Sequence, residues 1–348
     1  MTHSHLLLHI LVRWIDFVAL VAFLGGLGYR YFVLTPVCRA RSVSHSGPSE
    51  RIWMATMLAV LAATSLTDLF FRTAMMSGRP VPELFSVLPT VLMKTHFGSV
   101  WLGRFGLILL LSGILFLEGR RGLGPTVDRY LSLGAGAALG LTTSLSGHAA
   151  DQGNWSWTVL GDWIHVTAIS GWVGGLFALQ IHLARFLPRI PSGERRTFLT
   201  AAIRAFSTVA MTCVGGLFLS GVYNTWVHVH SPSLLVGTEY GKILILKWVL
   251  LGPMIFIGGV SRFYILPRLE NNEEHALNSI PGRLMRSIVE TVWKRPDDSK
   301  LEGLFFRLIT IEAVLGLAVL GCSAWITQLP PPHETSLGFE RGHGRHAM

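Results

Sequence analysis

The stretch Ser146–Leu176, SGHAADQGNWSWTVLGDWIHVTAISGWVGGL, decides the fold. A loop without Lys or Arg separates the end of one apolar run from the start of another. The second run is long enough to cross a bilayer, which takes about 20 residues. His148 ends the first run, and Asp162 and His165 open the second. Ionisable side chains at membrane depth are costly and therefore suggest a function.

The composition of the whole chain is that of a membrane protein. Half of the 348 residues are hydrophobic and only 14% are charged, whereas a soluble domain carries about 25% charged residues. The net charge of +9 therefore indicates basic cytoplasmic loops rather than nucleic-acid binding. Three scattered cysteines and the lack of a CxxC motif argue against a disulfide framework. The expected surroundings are a lipid bilayer, and the composition does not indicate an oligomeric state.

The apolar runs predict an all-α, polytopic protein of eight transmembrane helices. Backbone groups cannot remain unpaired in lipid, so each run is expected to be helical. The segment 84–93 is too short to span and contains Pro89, which favours an interfacial piece. The expected spans are 9–33, 52–71, 97–118, 129–148, 158–184, 203–227, 243–266 and 304–327.

The distribution of basic residues predicts the orientation. Twenty Lys and Arg lie in or beside the odd-numbered loops, against six on the opposite side. Because cytoplasmic loops are enriched in basic residues, the odd-numbered loops are expected inside and both termini in the periplasm. Eleven of the fourteen His then fall on the outer side. Any chemistry that uses His is therefore expected at the outer face.

Two pairs of similar segments indicate an internal repeat. RWIDFVALVAFLGGL from Arg13 resembles DWIHVTAISGWVGGL from Asp162, and a T-x-aromatic-G pattern opens both Thr95–Leu110 and Thr238–Pro253. The order predicts two parallel four-helix repeats about an axis along the membrane normal, with a site between the halves. The expected units are 1–128 (spans 1–3 of the first repeat), 129–327 (span 4 and the second repeat) and 328–348 (a His-containing tail).

Polar side chains near the outer face could bind a metal. Asp162 and His165 are three residues apart, so they share a helix face and the carboxylate could orient the imidazole. The loop after His148 returns the chain beside that residue, so both imidazoles could face one vestibule. Imidazole suits copper, zinc, iron and nickel, although buried His can also simply hydrogen-bond neighbouring helices. The candidate ligands are His148, His165, His96, His228, His230, Asp162 and Glu239.

A second set of residues lies deeper in the spans and could pass a metal onward. Thioether and thiolate groups favour Cu(I), and an intramembrane carboxylate needs a partner or a function. Packing and structural ion pairing are the alternatives for every member of this set. The possible relay residues are Met211, Cys213, Met254, Glu312 and Asp16.

Five segments of the second half carry a family resemblance through their order and spacing. The first three are SGHA (Ser146–Ala149), DWIH…WVGGL (Asp162–Leu176) and FSTVAMTCVGGLFLSGVYN (Phe206–Asn224). The last two are TEYGKILILK…SRFYILPRL (Thr238–Leu269) and RLITIEAVLG…LPPP (Arg307–Pro332). With these segments the chain resembles the CopD family of copper-resistance inner-membrane proteins. The first half resembles the longer members of the family, which have eight spans.

The resemblance implies that the protein handles copper, Cu(I) or Cu(II), at the bacterial inner membrane. It favours uptake from the periplasm, with a periplasmic copper carrier of the CopC kind as donor. No ATPase motif is present, and we expect a transporter rather than an enzyme. Two alternatives stay open: a b-type haem-binding membrane oxidoreductase, and a copper-transfer or assembly factor that does not transport.

Overall fold

The structure is a computed structural model that describes residues 3–40, 48–120, 124–229, 231–271, 279–293, 297 and 300–329. These residues contain helices and turns and no strand, so the all-α prediction is confirmed. Seven helical segments are long and apolar enough to cross a membrane. They are Leu6–Arg39, Ser49–Ser77, His96–Glu118, Trp157–Arg189, Ser192–Val227, Glu239–Leu269 and Leu301–Ile326, which match predicted spans 1–3 and 5–8.

Three of these segments contain a π-helical turn, at Arg30–Leu34, Ser170–Gly174 and Ser261–Ile265. A π turn widens the backbone locally and is frequent at functional sites. The helices are α1 (His3–Tyr29), α2 (Thr35–Arg39), α3 (Pro48–Ser77), α4 (Leu84–Lys94), α5 (His96–Gly119), α6 (Pro125–Leu145), α7 (Trp157–Ile169), α8 (Gly175–Phe186), α9 (Ser192–His228), α10 (Pro232–Gly237), α11 (Glu239–Val260), α12 (Leu266–Leu269), α13 (Ile280–Trp293) and α14 (Leu301–Ile326).

The predicted fourth span forms a helix but is not one of the seven apolar segments. Helix α6 has 21 residues, which give a length of about 31 Å. Its buried face carries Asp128, Ser132, Thr142 and Thr143, and these polar groups lower its apolar character. The segment predicted to be interfacial forms α4, whose 11 residues reach only about 16 Å. The count of eight spans remains a prediction.

The first and fifth spans cross at the centre of the molecule, where glycines allow their backbones to touch. A methyl group added at Gly174 would lie 1.9 Å from the carbonyl oxygen of Val21, and one at Gly25 would lie 2.3 Å from the carbonyl carbon of Gly174. Small residues permit this close approach of two membrane helices. Gly25 and Gly174 occupy the same position of the predicted repeat, so the two copies touch at equivalent residues.

Two tryptophans make matching contacts between the halves. Trp14 Nε1 donates to the carbonyl of Leu317 on α14 at 3.0 Å. Trp163 Nε1, from the matching position, donates to the carbonyl of Ala137 on α6 at 2.9 Å. In each case the first helix of one half is tied to the last helix of the other.

The T-x-aromatic-G pattern forms the same helix start in both halves. The Thr95 hydroxyl accepts from the amide of Gly98 at 3.0 Å, and the Thr238 hydroxyl accepts from the amide of Gly241 at 3.1 Å. Each Thr therefore caps its helix. A methyl group on either Gly would lie 2.2 Å from a carbonyl oxygen of the preceding short helix, at Val91 or Leu235. Both glycines are required by this contact.

Candidate outer-face metal site

His165 lies on α7 and has a defined hydrogen-bond partner. Its Nδ1 is 3.0 Å from the hydroxyl oxygen of Ser220 on α9. Ser220 has one hydroxyl proton, and it donates that proton to the carbonyl of Gly216 at 2.6 Å. With that donation, the hydroxyl accepts from Nδ1–H, and a neutral imidazole then carries its lone pair on Nε2. An imidazole nitrogen with a free lone pair is the group that can bind a metal.

Asp162 does not take the orienting role that the sequence suggested, because Ser220 has it. The Asp162 carboxylate lies one turn nearer the start of α7, in the range of the Lys247 ammonium on α11, and the two charges attract each other. Tyr240 also lies near this carboxylate. Asp162 therefore interacts with a cationic side chain of another span.

His148 and His165 lie at different depths. The carbonyl of Ala149, next to His148, accepts from the Thr158 hydroxyl at 2.8 Å, so this loop is level with the start of α7. His165 comes seven residues after Thr158, or about 10 Å further along the helix. The two backbone positions are thus separated along the helix by a distance that the two side chains would have to bridge to share one metal ion. The His148 side chain lies outside the described residues, so the shared site stays a prediction.

The other predicted ligands lie at the ends of the spans. His96 is exposed, and its Nε2 is 2.8 Å from the amide oxygen of Asn154, which ties the start of α5 to the loop after His148. Glu239 is exposed at the start of α11 and pairs with Lys242 at 3.3 Å. His228 is the last residue of α9. The side chain of His228 and all of His230 lie outside the described residues.

In the first half, the position that matches His165 is held by an ion pair. Asp16, which matches His165, accepts from the Thr64 hydroxyl of α3 at 2.8 Å and from Arg104 of α5 at 2.9 and 3.0 Å. Arg104 matches Lys247 in the repeat. A cavity of about 20 Å³ adjoins this ion pair and is also lined by His9 and Asp68; it has room for about one water. Both carboxylate oxygens of Asp16 therefore accept hydrogen bonds from Arg104.

The predicted relay residues lie in different surroundings, and the relay itself stays a prediction. Met211 is 51% exposed and faces away from the bundle. Cys213 lies against Gly171, where an added methyl group would meet its sulfur at 2.5 Å. Met254 of α11 is fully buried and packs near Gly316 of α14. Glu312 of α14 accepts from Trp172 Nε1 at 2.8 Å.

No group of three or more His, Cys, Asp or Glu that could hold a metal is found among the described side chains. The side chains of His148, His228 and His230 lie outside that set. Among the described side chains, His165 is therefore the imidazole of the predicted span-5 site whose orientation is defined by a hydrogen bond. The sequence reasoning missed Ser220 and Trp172, the partners of His165 and Glu312. Their position within predicted spans was the one available signal, because a hydroxyl or an indole in an apolar helix follows no diagnostic spacing.

Family models match both halves of the chain. Residues 1–158 match the model "Copper resistance protein D-like, N-terminal domain". Residues 200–326 match the model "Copper resistance protein D". Residues 159–199, which hold most of the fifth span and the loop after it, lie between the two matches. The C-terminal tail lies beyond the second match.

Curated relatives carry related descriptions. The chain is 27% identical over 305 residues to "Copper transport protein CutJ" of Bacillus subtilis; the match takes in 83% of this chain and 49% of that protein, so the chain spans about half of its length. It is 24% identical to "Copper resistance protein D" of Pseudomonas syringae pv. tomato, over 83% of this chain and 86% of that protein. It is also 24% identical to "Inner membrane protein YebZ" of Escherichia coli, over 77% and 87%.

No solved structure matches the chain. Its apolar helices and these relatives make it a multi-pass protein of the bacterial inner membrane. Since both family models match in order along the chain, and the relatives agree with them, the protein belongs to the copper resistance protein D family.

Proposed function

We propose that this protein takes copper from the periplasm into the cytoplasm and that His165 is the deepest ligand of its outer-face site. The observation that carries the proposal is the hydrogen bond between His165 and Ser220, which leaves Nε2 with an available lone pair. A histidine held in this way by a neighbouring group is the usual arrangement at a metal site. The family membership supplies the metal, which is copper.

The proposed route has two steps at the outer face. Copper first meets the loop at His148, close to the His96–Asn154 contact, and then moves about 10 Å along α7 to His165. Cys213 is the next soft group on the same interface of the fifth and sixth spans. It lies seven residues from Ser220, or about 10 Å deeper. The remaining candidates, His228, His230 and Glu239, belong in this proposal to the outer rim.

The proposed topology is eight spans with both termini in the periplasm. Helix α6 supports it, because its length matches the hydrocarbon core although its composition is less apolar. The matching contacts of Trp14 and Trp163 support two parallel repeats. A periplasmic carrier of the CopC kind would be the donor at this outer face. The proposed role is transport, without an enzymatic reaction.

Copper uptake into proteoliposomes tests the proposal. We expect wild-type protein to load copper above empty liposomes, and we expect His165→Ala to abolish that uptake. Ser220→Ala should reduce copper affinity by about 10–100-fold, the usual effect of losing a group that orients a ligand. Ser112→Ala is the matched control, because Ser112 also donates to the carbonyl four residues earlier, that of Ile108, but contacts no imidazole.

Three outcomes would overturn the proposal. Wild-type uptake no greater than in empty liposomes, with copper still bound, would favour the transfer-factor alternative. A Soret band in copper-free purified protein would favour the haem alternative. Equal copper affinity in the Ser220→Ala and Ser112→Ala variants would remove the proposed role of the hydrogen bond.

A further inference from the structure

Glu312 is a carboxyl group in the middle of the membrane-spanning part of the protein. It is residue 12 of the 26 in α14 and is only 2% exposed. Its Oε1 accepts one hydrogen bond, from Trp172 Nε1 at 2.8 Å. The opposite helix presents Gly258, where an added methyl group would lie 3.5 Å from the same oxygen. The Oε1 atom of Glu312 therefore faces a position of α11 that has no side chain.

The other acidic groups within the spans have cationic partners. Asp16 is paired with Arg104, and Asp68 lies 3.2 Å from Arg72. Asp162 interacts with the charge of Lys247. Among the described residues, Glu312 has no ion pair, and its hydrogen-bond partner is the neutral indole of Trp172. It differs from the rest in this respect.

The titratable groups on the elements packed against α14 are engaged elsewhere. These elements are α1, α8, α11 and the π turn Ser261–Ile265. On α1, His9 packs on Phe71 and Arg13 interacts with Asp16. On α8, His182 is 3.7 Å from Glu50 and packs on Tyr29 of α1, and Arg185 donates to the carbonyl of Ser49. On α11, Glu239 pairs with Lys242, and Tyr240 and Lys247 lie near Asp162. In the π turn, Arg262 lies over Phe263 and Tyr264 accepts from Arg268.

An ionised carboxylate in this place would be very unfavourable. Moving an unpaired charge from water into a protein interior costs several kcal/mol even after relaxation, and a single indole N–H offsets only part of that. A proton on the free oxygen removes the charge. We propose that Glu312 is a proton-binding site, protonated in the resting protein, and that it releases its proton when copper enters the second half.

The position of Trp172 connects this site to the copper route. Trp172 lies in the π turn Ser170–Gly174, seven residues after His165, or about 10 Å deeper. In the first half the corresponding residues 21–25 are regular α-helix, so the turn belongs to the second half alone. When a copper cation passes this level, the O–H bond of Glu312 breaks, the electron pair stays on the carboxylate, and the proton passes to water on the side to which the copper moves. The negative charge then stabilises the cation, and once the copper has left, a proton taken up from water restores the resting state. This coupling rests on the proposed function, whereas the proton site itself does not.

Infrared difference spectroscopy on the purified full-length protein tests the proton site without any transport measurement. We expect wild-type protein at neutral pH to show the carbonyl band of a protonated carboxylic acid. The band should be absent in Glu312→Gln, whose amide oxygen can still accept from Trp172. Glu302→Gln, at the cytoplasmic start of the same helix, is the matched control and should retain the band. Identical spectra of wild type and Glu312→Gln would overturn the proton site.

A flux measurement tests the coupling. With a pH-sensitive dye inside proteoliposomes, we expect copper uptake to be accompanied by proton release in wild type and in Glu302→Gln. In Glu312→Gln the proton release should be lost, while the copper affinity at His165 should remain. Copper uptake without proton movement in wild type would overturn the coupling. If wild type moves no copper but its carboxylic-acid band depends on Glu312, the transport proposal and the coupling fail and the proton site stands.

Discussion

Replacing Gly25 by Ala tests the central crossing of the two halves. The new methyl group would lie 2.3 Å from both the Ser170 carbonyl oxygen and the Gly174 carbonyl carbon, where ordinary contact begins near 3.4 Å. The helices would therefore have to separate by about 1 Å, and overpacking of this kind costs about 1–3 kcal/mol. Gly28→Ala, on the same helix, meets nothing within 4 Å. Both variants gain about 1 kcal/mol of helix propensity. The difference between their free energies of unfolding therefore measures the effect of the methyl group at the helix crossing.

The free energy of unfolding can be measured in mixed micelles by raising the SDS fraction and following tryptophan fluorescence. We expect Gly25→Ala to be less stable than Gly28→Ala by about 1–3 kcal/mol. The same displacement should lower copper uptake, because Ser170 begins the π turn next to the proposed route. If Gly25→Ala is as stable as Gly28→Ala, the first and fifth spans do not touch in the membrane as described.

Three other variants test separate contacts. Arg104→Met should destabilise the protein by up to about 3–5 kcal/mol, because it breaks the short ion pair and leaves the buried Asp16 carboxylate with Arg13, 3.9 Å away, as its remaining cation. Adding Asp16→Asn should recover most of this in the same unfolding assay, and no recovery would argue against the Asp16–Arg104 ion pair. Thr238→Val should cost about 1 kcal/mol through the lost helix cap and speed amide exchange at residues 239–242, whereas Thr238→Ser should not. His148→Ala should slow uptake yet leave the copper affinity at His165 unchanged in a chelator competition; an affinity as low as in His165→Ala would mean that both ligate one ion.

The sequence predicts most of the fold because the bilayer restricts the choices. Apolar runs of about 20 residues can only be helices in lipid. Seven of the eight predicted spans form helices that are long and apolar enough to cross a membrane. Helix α6 differs because its buried face carries Asp128 and several hydroxyl groups, which a hydropathy reading counts against it. The π turns could not be predicted, since they arise where one helix must widen to fit its neighbours.

The site is less predictable because it depends on contacts between spans. The spacing of Asp162 and His165 suggested that the two side chains act together, but the hydrogen-bond partner of His165 is Ser220, 55 residues later. The pairing of Asp16 with Arg104 spans 88 residues and likewise has no local signal. A site shared by His148 and His165 stays a prediction, because it depends on how a loop side chain meets α7, and no sequence spacing gives that.

The exchange of tryptophan contacts between the halves has a consequence for the origin and assembly of the chain. Trp14 reaches α14, and Trp163 reaches α6, so each four-helix unit completes the other. A symmetric dimer of a chain half this length would make the same two contacts across its twofold axis. The predicted repeat thus has the contact pattern of a homodimer, with an Asp–Arg pair in one half and a histidine at the matching position of the other. It also follows that fragments divided at residues 146–156 should be stable only when both are inserted in the same membrane.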